Sequence, residues 1–205
     1  MSEIIFTKKY EDNSWAGKES RSGPGSSLAA NTKLLSLLEE FVKENGIKTI
    51  LDMGCGDFNW MKHFNFDAVD SYLGIDIVMK MIDKNNELYS SPKIVFKHCD
   101  LTDYYIGKYD LIICKDVLVH LSYQDALNII SKIKKSMSRY FLSTTFYACD
   151  NSDIPTGNWR PINLEGDPFN MGKPLFFGAN IEDREDIWSN KSIGIWELEW
   201  LKKGI

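Results

Sequence analysis

The chain has 205 residues, 43% of them hydrophobic and 26% charged, with a formal net charge of −5. These values fit one soluble globular domain with enough material for a proper core. The acidic balance disfavours a protein that grips a nucleic-acid backbone through a basic face.

No apolar run reaches the roughly 18–20 residues needed to cross a bilayer. The start, Met-Ser-Glu-Ile-Ile-Phe-Thr-Lys-Lys, lacks the basic-then-apolar order of a secretion signal. Cys55, Cys99, Cys114 and Cys149 show no Cys-x-x-Cys pairing, and three lie in or beside apolar strand-like runs. They read as small buried residues of a reducing compartment, and the expected location is cytoplasmic. His63, His98 and His120 are scattered without ligand spacing, so no metal is expected.

Residues 1–27 are polar and rich in Gly and Ser. They read either as a flexible leader or as a lid, with Ser22, Gly23, Gly25 and Ser26 offering N–H groups and hydroxyls to an anion. Ser26 or Ser27 is placed to cap the next helix, over 28–45, whose leucines, Phe41 and Val42 recur at helical spacing up to a stop at Gly46. A first strand is expected over 48–54 and a short helix over 58–64. A second strand follows over 71–78, a helix over 79–90 ended by Pro92, and a third strand over 93–99. The fourth strand is expected over 109–115, then an amphipathic helix over 122–137 capped by Ser122, and a fifth strand over 139–146. Residues 150–174 carry four of the six prolines and read as a long irregular insertion. Two closing strands, 175–181 and 192–201, complete the chain as an antiparallel pair.

Strand–helix alternation through residue 146 implies a parallel, doubly wound α/β sheet with helices on both faces. Residues 28–147 then form a core, with 1–27 as leader or lid and 148–205 as insertion and closing strands. In such sheets ligands bind outside the carboxyl ends of the strands, where Asp52, Asp76, Asp100 and Asp116 fall. After the first strand comes Asp52-Met-Gly54-Cys-Gly56, a glycine turn that lets a ligand approach the main chain. A dinucleotide fingerprint would need a third glycine where Asn59 stands, which argues against a nicotinamide oxidoreductase. Asp76, 24 positions after Asp52, is spaced to hold a ribose diol, or serves as a loop cap. Asp100 could accept from an exocyclic amine such as adenine's, or close a turn.

Leu-Asp-Met-Gly-Cys-Gly at 51–56, Gly-Ile-Asp-Ile at 74–77, Cys-Asp-Leu at 99–101 and Asp-Leu-Ile-Ile-Cys-Lys-Asp-Val-Leu-Val-His-Leu at 110–121 resemble successive motifs of Rossmann-like S-adenosylmethionine-dependent methyltransferases. Outside that stretch, Trp15, Glu19-Ser, Ser22-Gly-x-Gly-Ser26, Cys-Gly-Asp-Phe-Asn-Trp at 55–60, Thr-Gly-Asn-Trp-Arg-Pro-Ile-Asn-Leu at 156–164 and Ile-Trp-Glu-Leu at 195–198 resemble a subgroup of small bacterial and viral members. The resemblance implies a seven-stranded, mostly parallel sheet with an antiparallel last strand, and S-adenosylmethionine as cofactor.

On that reading Asp52 serves the donor's amine, the glycine turn and the 22–26 loop serve its carboxylate, and Asp76 takes the ribose hydroxyls. Met53, Ile77 and Leu101 flank the adenine. Asp116 and His120 are the candidate bases, four apart and sharing a face if 116–121 is a helical turn, or His120 is a partly buried histidine capping a turn. Asp116 could instead hold the donor or orient His120, and Lys115 could bind donor or pair with a carboxylate. Trp159 and Arg160 are the acceptor-site candidates, as an aromatic beside a guanidinium. The expected reaction is methyl transfer to oxygen of a small molecule or glycan. A protein acceptor and a non-catalytic donor-binding subunit are the alternatives. Nucleic acid is disfavoured because no Asn/Asp-Pro-Pro-aromatic run or Pro-Cys pair is present.

Overall fold

A computed structural model of the chain describes residues 2–179 and 190–198. The chain packs as two compact units, Met1–Leu101 and Thr102–Ile205.

The first unit holds α1 (Ser2–Glu11), α2 (Leu28–Glu44), β1 (Thr49–Met53), β2 (Ser71–Asp76), α3 (Met79–Tyr89) and β3 (Ile94–His98). Its strands lie in the order β3-β2-β1, all parallel, with Leu73 of β2 opposite Leu51 on one side and Val95 on the other. Helix α2 forms where the apolar spacing puts it, burying Leu34, Leu35, Leu38 and Val42 on one stripe. The Ser27 hydroxyl caps it by accepting from the Ala30 N–H at 3.4 Å. Gly46, just past its end, adopts the left-handed conformation with φ 61°.

The second unit holds β4 (Leu111–Cys114), α4 (Tyr123–Lys135), β5 (Tyr140–Phe146), β6 (Phe176–Ala179) and β7 (Lys191–Glu197). The order is β4-β5-β7-β6; β4 and β5 are parallel, and β7 runs antiparallel to both β5 and β6. Every residue of β4 and β5 is buried; β4 accordingly reads as a continuous apolar run, whereas β5 also buries Ser143, Thr144 and Thr145. Ala126, Ile129, Ile130 and Ile133 form the buried stripe of α4, and Ser122 caps it. The expected Rossmann-like fold, a seven-stranded and mostly parallel sheet closed by an antiparallel strand, is the one the chain adopts.

Two expectations differ. The leader contains a helix, α1, with Glu3 in its first turn and Lys8 and Lys9 in its last, complementing the helix dipole. None of its residues is buried, so it carried no apolar stripe to read. The helix expected over 58–64 is a turn followed by one 3-10 turn, Met61–His63. Phe58 sits at φ 57°, a left-handed conformation that a regular α-helix excludes. Its ring is buried against Tyr72, Tyr89 and Phe96 at centroid distances of 5.4, 5.3 and 4.9 Å, which offsets that strain. The insertion over 150–174 is irregular as expected but well packed: Ile162, Leu164, Phe169 and Met171 are all buried.

Positions 180–181 and 199–201 of the expected closing strands lie outside the described residues. Among the described residues no helix is long and apolar enough to cross a membrane, and no group of three or more His, Cys, Asp or Glu forms a metal site.

Candidate functional site

In the first unit, β1 runs buried to Asp52 and Met53 and then bends at Gly54 (φ 80°) and Gly56 (φ 59°). The bend is held from within. The N–H groups of Gly54 and Cys55 both donate to the Ile75 carbonyl, at 2.7 and 3.1 Å. The Gly56 N–H donates to Asp76 Oδ2 at 3.1 Å, and the Asp57 N–H to Ser22 Oγ at 3.0 Å. The expectation that this turn offers its N–H groups to a carboxylate is corrected, because those donors already have partners inside the protein.

Asp76 ends β2. Besides Gly56, its Oδ1 accepts from the Val78 N–H at 3.0 Å. Burial pushes its carboxyl above the ordinary value, and the N–H bonds from Val78 and Gly56 partly oppose that rise. The Ile77 N–H adds a third, weaker contact, and a carboxylate with about four acceptor positions still has room for a hydroxyl donor. Asp52 is buried and accepts the Tyr72 hydroxyl at 2.7 Å. Burial first, and then the Asp52 charge, pushes that phenol well up, so it stays a donor.

The leader loop closes on this turn. The Ser20 hydroxyl and the Arg21 N–H donate to the Asp57 carboxylate. Asn59 Nδ2 donates to Glu19 Oε1 at 2.6 Å and to the Ser26 carbonyl at 3.0 Å. Arg21 reaches back to the carbonyls of Tyr10 and Glu11, capping the end of α1. Helix α1 is further tied by Glu3 to His98 at 3.2 Å and by Glu11 to Lys80. This is an ordered arrangement, so the flexible-leader reading falls away. The N–H groups of Gly23 and Ser26 close local turns onto the carbonyls of Ser20 and Gly23, at 3.2 and 3.0 Å, so these two N–H groups are not offered to a ligand. The Gly25 carbonyl accepts from Asn31 Nδ2 at 2.8 Å.

Of the residues expected around adenine, Ile77 is half-exposed beyond the end of β2, and Leu101 is buried after β3. Met53 is fully buried, so it belongs to the core and not to a ligand wall. Asp100 is half-buried just after β3.

In the second unit, Lys115 and Asp116 follow β4. Asp116 sits at φ 57°, a strained conformation for a residue with a Cβ. Lys115 Nζ meets its Oδ2 at 2.6 Å; Lys191 Nζ and Thr144 Oγ1 both meet its Oδ1, at 2.9 Å. Burial raises the Asp116 pKa, but the two ammonium groups and their hydrogen bonds outweigh it and hold the carboxyl far below the usual range. A carboxylate so stabilised is a poor proton acceptor, so the expectation of Asp116 as base is corrected to that of a charge anchor. Lys115 correspondingly has the carboxylate-partner role among those expected of it.

His120 ends a 3-10 turn, Leu118–His120, and not an α-helical one. Its Nδ1 lies 2.9 Å from the Asn158 carbonyl oxygen, so its ring is held by the 155–160 segment and not by Asp116. That segment also donates from the Gly157 N–H to the His120 carbonyl at 2.7 Å and from the Arg160 N–H to the Val119 carbonyl at 3.0 Å. Trp159 is 40% exposed and packs edge-on to Phe146 at 5.9 Å. Arg160 is only 3% exposed. Its Nη1 donates to the carbonyls of Leu121 at 2.8 Å and Leu118 at 3.3 Å, and its guanidinium lies over the Tyr123 ring at 5.2 Å. The expectation that Arg160 clamps an acceptor is corrected, because its cation faces inward.

Sequence reasoning missed the roles of Ser20, Glu19, Asp57 and Asn59 on the leader, and of Thr144, Lys191 and Asn158 in the second unit. Glu19-Ser and Cys-Gly-Asp-Phe-Asn-Trp stood out as motifs, but nothing in their spacing showed that they bind each other.

A family model described as a methyltransferase domain matches residues 50–139. No curated protein matches the sequence. The fold is similar to that of magnesium protoporphyrin IX methyltransferase from Synechocystis, solved with bound SAH, at TM-score 0.64 and 16% identity, covering 95% of this chain and 98% of that one. A S-adenosylmethionine-dependent methyltransferase from Clostridium acetobutylicum gives TM-score 0.61 and 12% identity, over 81% of this chain and 91% of that one. The mitomycin 7-O-methyltransferase MmcR gives TM-score 0.57 and 12% identity, over 80% and 53%. Residues 50–139 thus match a methyltransferase domain, and the glycine bend, the acid that ends β2 and the sheet itself have the Rossmann-like fold of S-adenosylmethionine-dependent methyltransferases.

Proposed function

We propose that the protein methylates a hydroxyl of a small molecule or glycan, with His120 as the proton acceptor. When bound, S-adenosylmethionine supplies a methyl group made electrophilic by its sulfonium. The residues of the first unit fit the nucleoside end of that donor: the buried Asp76 carboxylate keeps acceptor capacity for a ribose hydroxyl, and half-exposed Ile77 offers an apolar surface beside it. Asp52, a second buried carboxylate at the start of the bend, suits an ammonium group.

The observation that carries the choice of oxygen is the hold on His120. A hydroxyl must lose its proton as the new bond forms, and imidazole titrates near neutrality. His120 is oriented by the Asn158 carbonyl, whereas the neighbouring carboxylate is committed to two lysines. Trp159 supplies exposed aromatic surface for an acceptor ring. The small-molecule class is supported by the acidic charge of the chain and by the likeness of its fold to that of the mitomycin 7-O-methyltransferase. All four cysteines are free, which accords with a cytoplasmic setting.

The test measures S-adenosylhomocysteine release with a panel of phenols, sugars, carboxylic acids and peptides. Turnover on a hydroxyl acceptor, falling by about 10²–10⁴-fold in His120→Ala, is the expected result. Turnover confined to peptides or carboxylic acids, or an unchanged rate in His120→Ala, would sink it.

A further inference from the structure

We infer that the Asn158 main-chain carbonyl and the Arg160 guanidinium are positioning groups that fix His120 as the Nδ1–H tautomer, making Nε2 its proton-accepting atom. This rests on the reading of His120 as a base, but the geometry that supports it stands by itself.

A carbonyl oxygen only accepts hydrogen bonds. The 2.9 Å contact between His120 Nδ1 and the Asn158 oxygen is a hydrogen bond only if Nδ1 carries the proton. In the neutral ring the lone pair then belongs to Nε2. A free imidazole in water exchanges between both tautomers, so a fixed one needs a fixed partner.

The partner is built to stay in place. The Asn158 N–H closes a turn onto the Pro155 carbonyl at 3.1 Å, within which Gly157 takes φ 102°. Thr156 Oγ1 accepts from the Ser122 N–H at 2.9 Å and donates to Asp125, tying the start of the segment to the start of α4. Beyond Asn158, Arg160 Nη1 bonds the carbonyls of Leu118 and Leu121, the residues that bracket the histidine turn. The turn and the segment that orients its ring are thus fastened to each other at both ends.

The Arg160 arrangement is not one that stability alone would select. Its Nε and Nη2 are buried without a hydrogen-bond partner, and burial pulls its pKa down. A buried cation with two unsatisfied donor nitrogens is unfavourable unless the bonds it does make are needed. Those bonds go to the His120 turn. Orientation of a base by a third group is a common device where the proton must leave from one nitrogen and not the other.

The chain has three histidines, so ring-nitrogen spectra of uniformly ¹⁵N-labelled protein are simple to assign with His120→Gln. Long-range ¹H–¹⁵N correlation above the imidazole titration range should show His120 with a protonated Nδ1 and an unprotonated Nε2. In Arg160→Met, folded by its amide spectrum, the same ring should move toward averaged shifts of both tautomers, and Arg160→Lys should restore the wild-type pattern in part. Should Arg160→Met not fold, Thr156→Val loosens the same segment more mildly and is expected to shift the ring the same way. An Nε2–H tautomer in the wild type overturns the inference, as does a pattern indifferent to both substitutions. Activity separates this from the reading above: a fixed Nδ1–H ring together with full turnover in His120→Ala would remove the base and leave the tautomer assignment intact.

Discussion

Ser20 donates its hydroxyl proton to the carboxylate of Asp57, 37 positions further along the chain, with oxygen distances of 2.9 and 2.8 Å. The Arg21 N–H joins it at 3.0 Å. Asp57 lies directly after the glycine bend, so this one carboxylate couples the leader to that bend.

Asp57→Ala should release the leader from the bend. Losing hydrogen bonds to a charged acceptor costs about 1–3 kcal/mol. Chemical denaturation should show that loss, and hydrogen exchange should speed up over residues 17–27 while α2 stays protected. Exchange unchanged in the loop would mean that Asp57 does not hold it.

Gly56 has two reasons to be glycine. Its φ is 59°, and an added Cβ would stand 2.6 Å from Ser22 Oγ. Gly56→Ala should destabilise by about 1–2 kcal/mol from the left-handed backbone alone, with a further penalty from displacing Ser22. The double variant Gly56→Ala/Ser22→Gly should recover the second part and not the first. Strict additivity of the two substitutions in thermal unfolding would refute the proposed collision.

Asp76→Ala removes the acceptor assigned to the ribose hydroxyls. Titration calorimetry with S-adenosylmethionine should show affinity weaker by roughly 1–3 kcal/mol. An unaltered dissociation constant would take Asp76 out of the donor site.

Asp116 and Asp76 should respond to acid in opposite senses. The Asp116 pKa is depressed by Lys115 and Lys191, so its contribution is fully present above the unfolded carboxyl value of about 3.9 and is lost as pH falls below it. The Asp76 pKa is raised by burial, so its ionised form weighs against folding at neutral pH, and that penalty fades as pH falls through the folded value. In urea titrations from pH 7 to pH 3, Asp116→Asn should be less stable at neutrality by about 2 kcal/mol, as for a lost charged hydrogen bond, and should lose less on acidification than the wild type. Parallel stability curves for the two proteins would exclude the ion-paired state of Asp116.

The sheet, its helices and the acids at its strand ends were legible in the sequence because they follow from local rules. A continuous apolar run marks a buried strand such as β4, a stripe at helical spacing marks α2 and α4, and Gly54 and Gly56 mark a bend that other residues resist. Helix α1 escaped notice because it buries nothing and is held by polar contacts at its ends.

What only the tertiary structure decided is where each polar group finds its partner. Asp116 and His120 sit four apart in the chain, yet one is taken by Lys115 and Lys191 and the other by the Asn158 carbonyl. Arg160 stands beside an exposed tryptophan but turns inward to cap the histidine turn. Apolar periodicity records burial one segment at a time, whereas a hydrogen bond between residues 30 or 40 positions apart exists only once packing has brought their segments together. The sequence therefore determined the fold, and the long-range contacts decided how its candidate side chains are held.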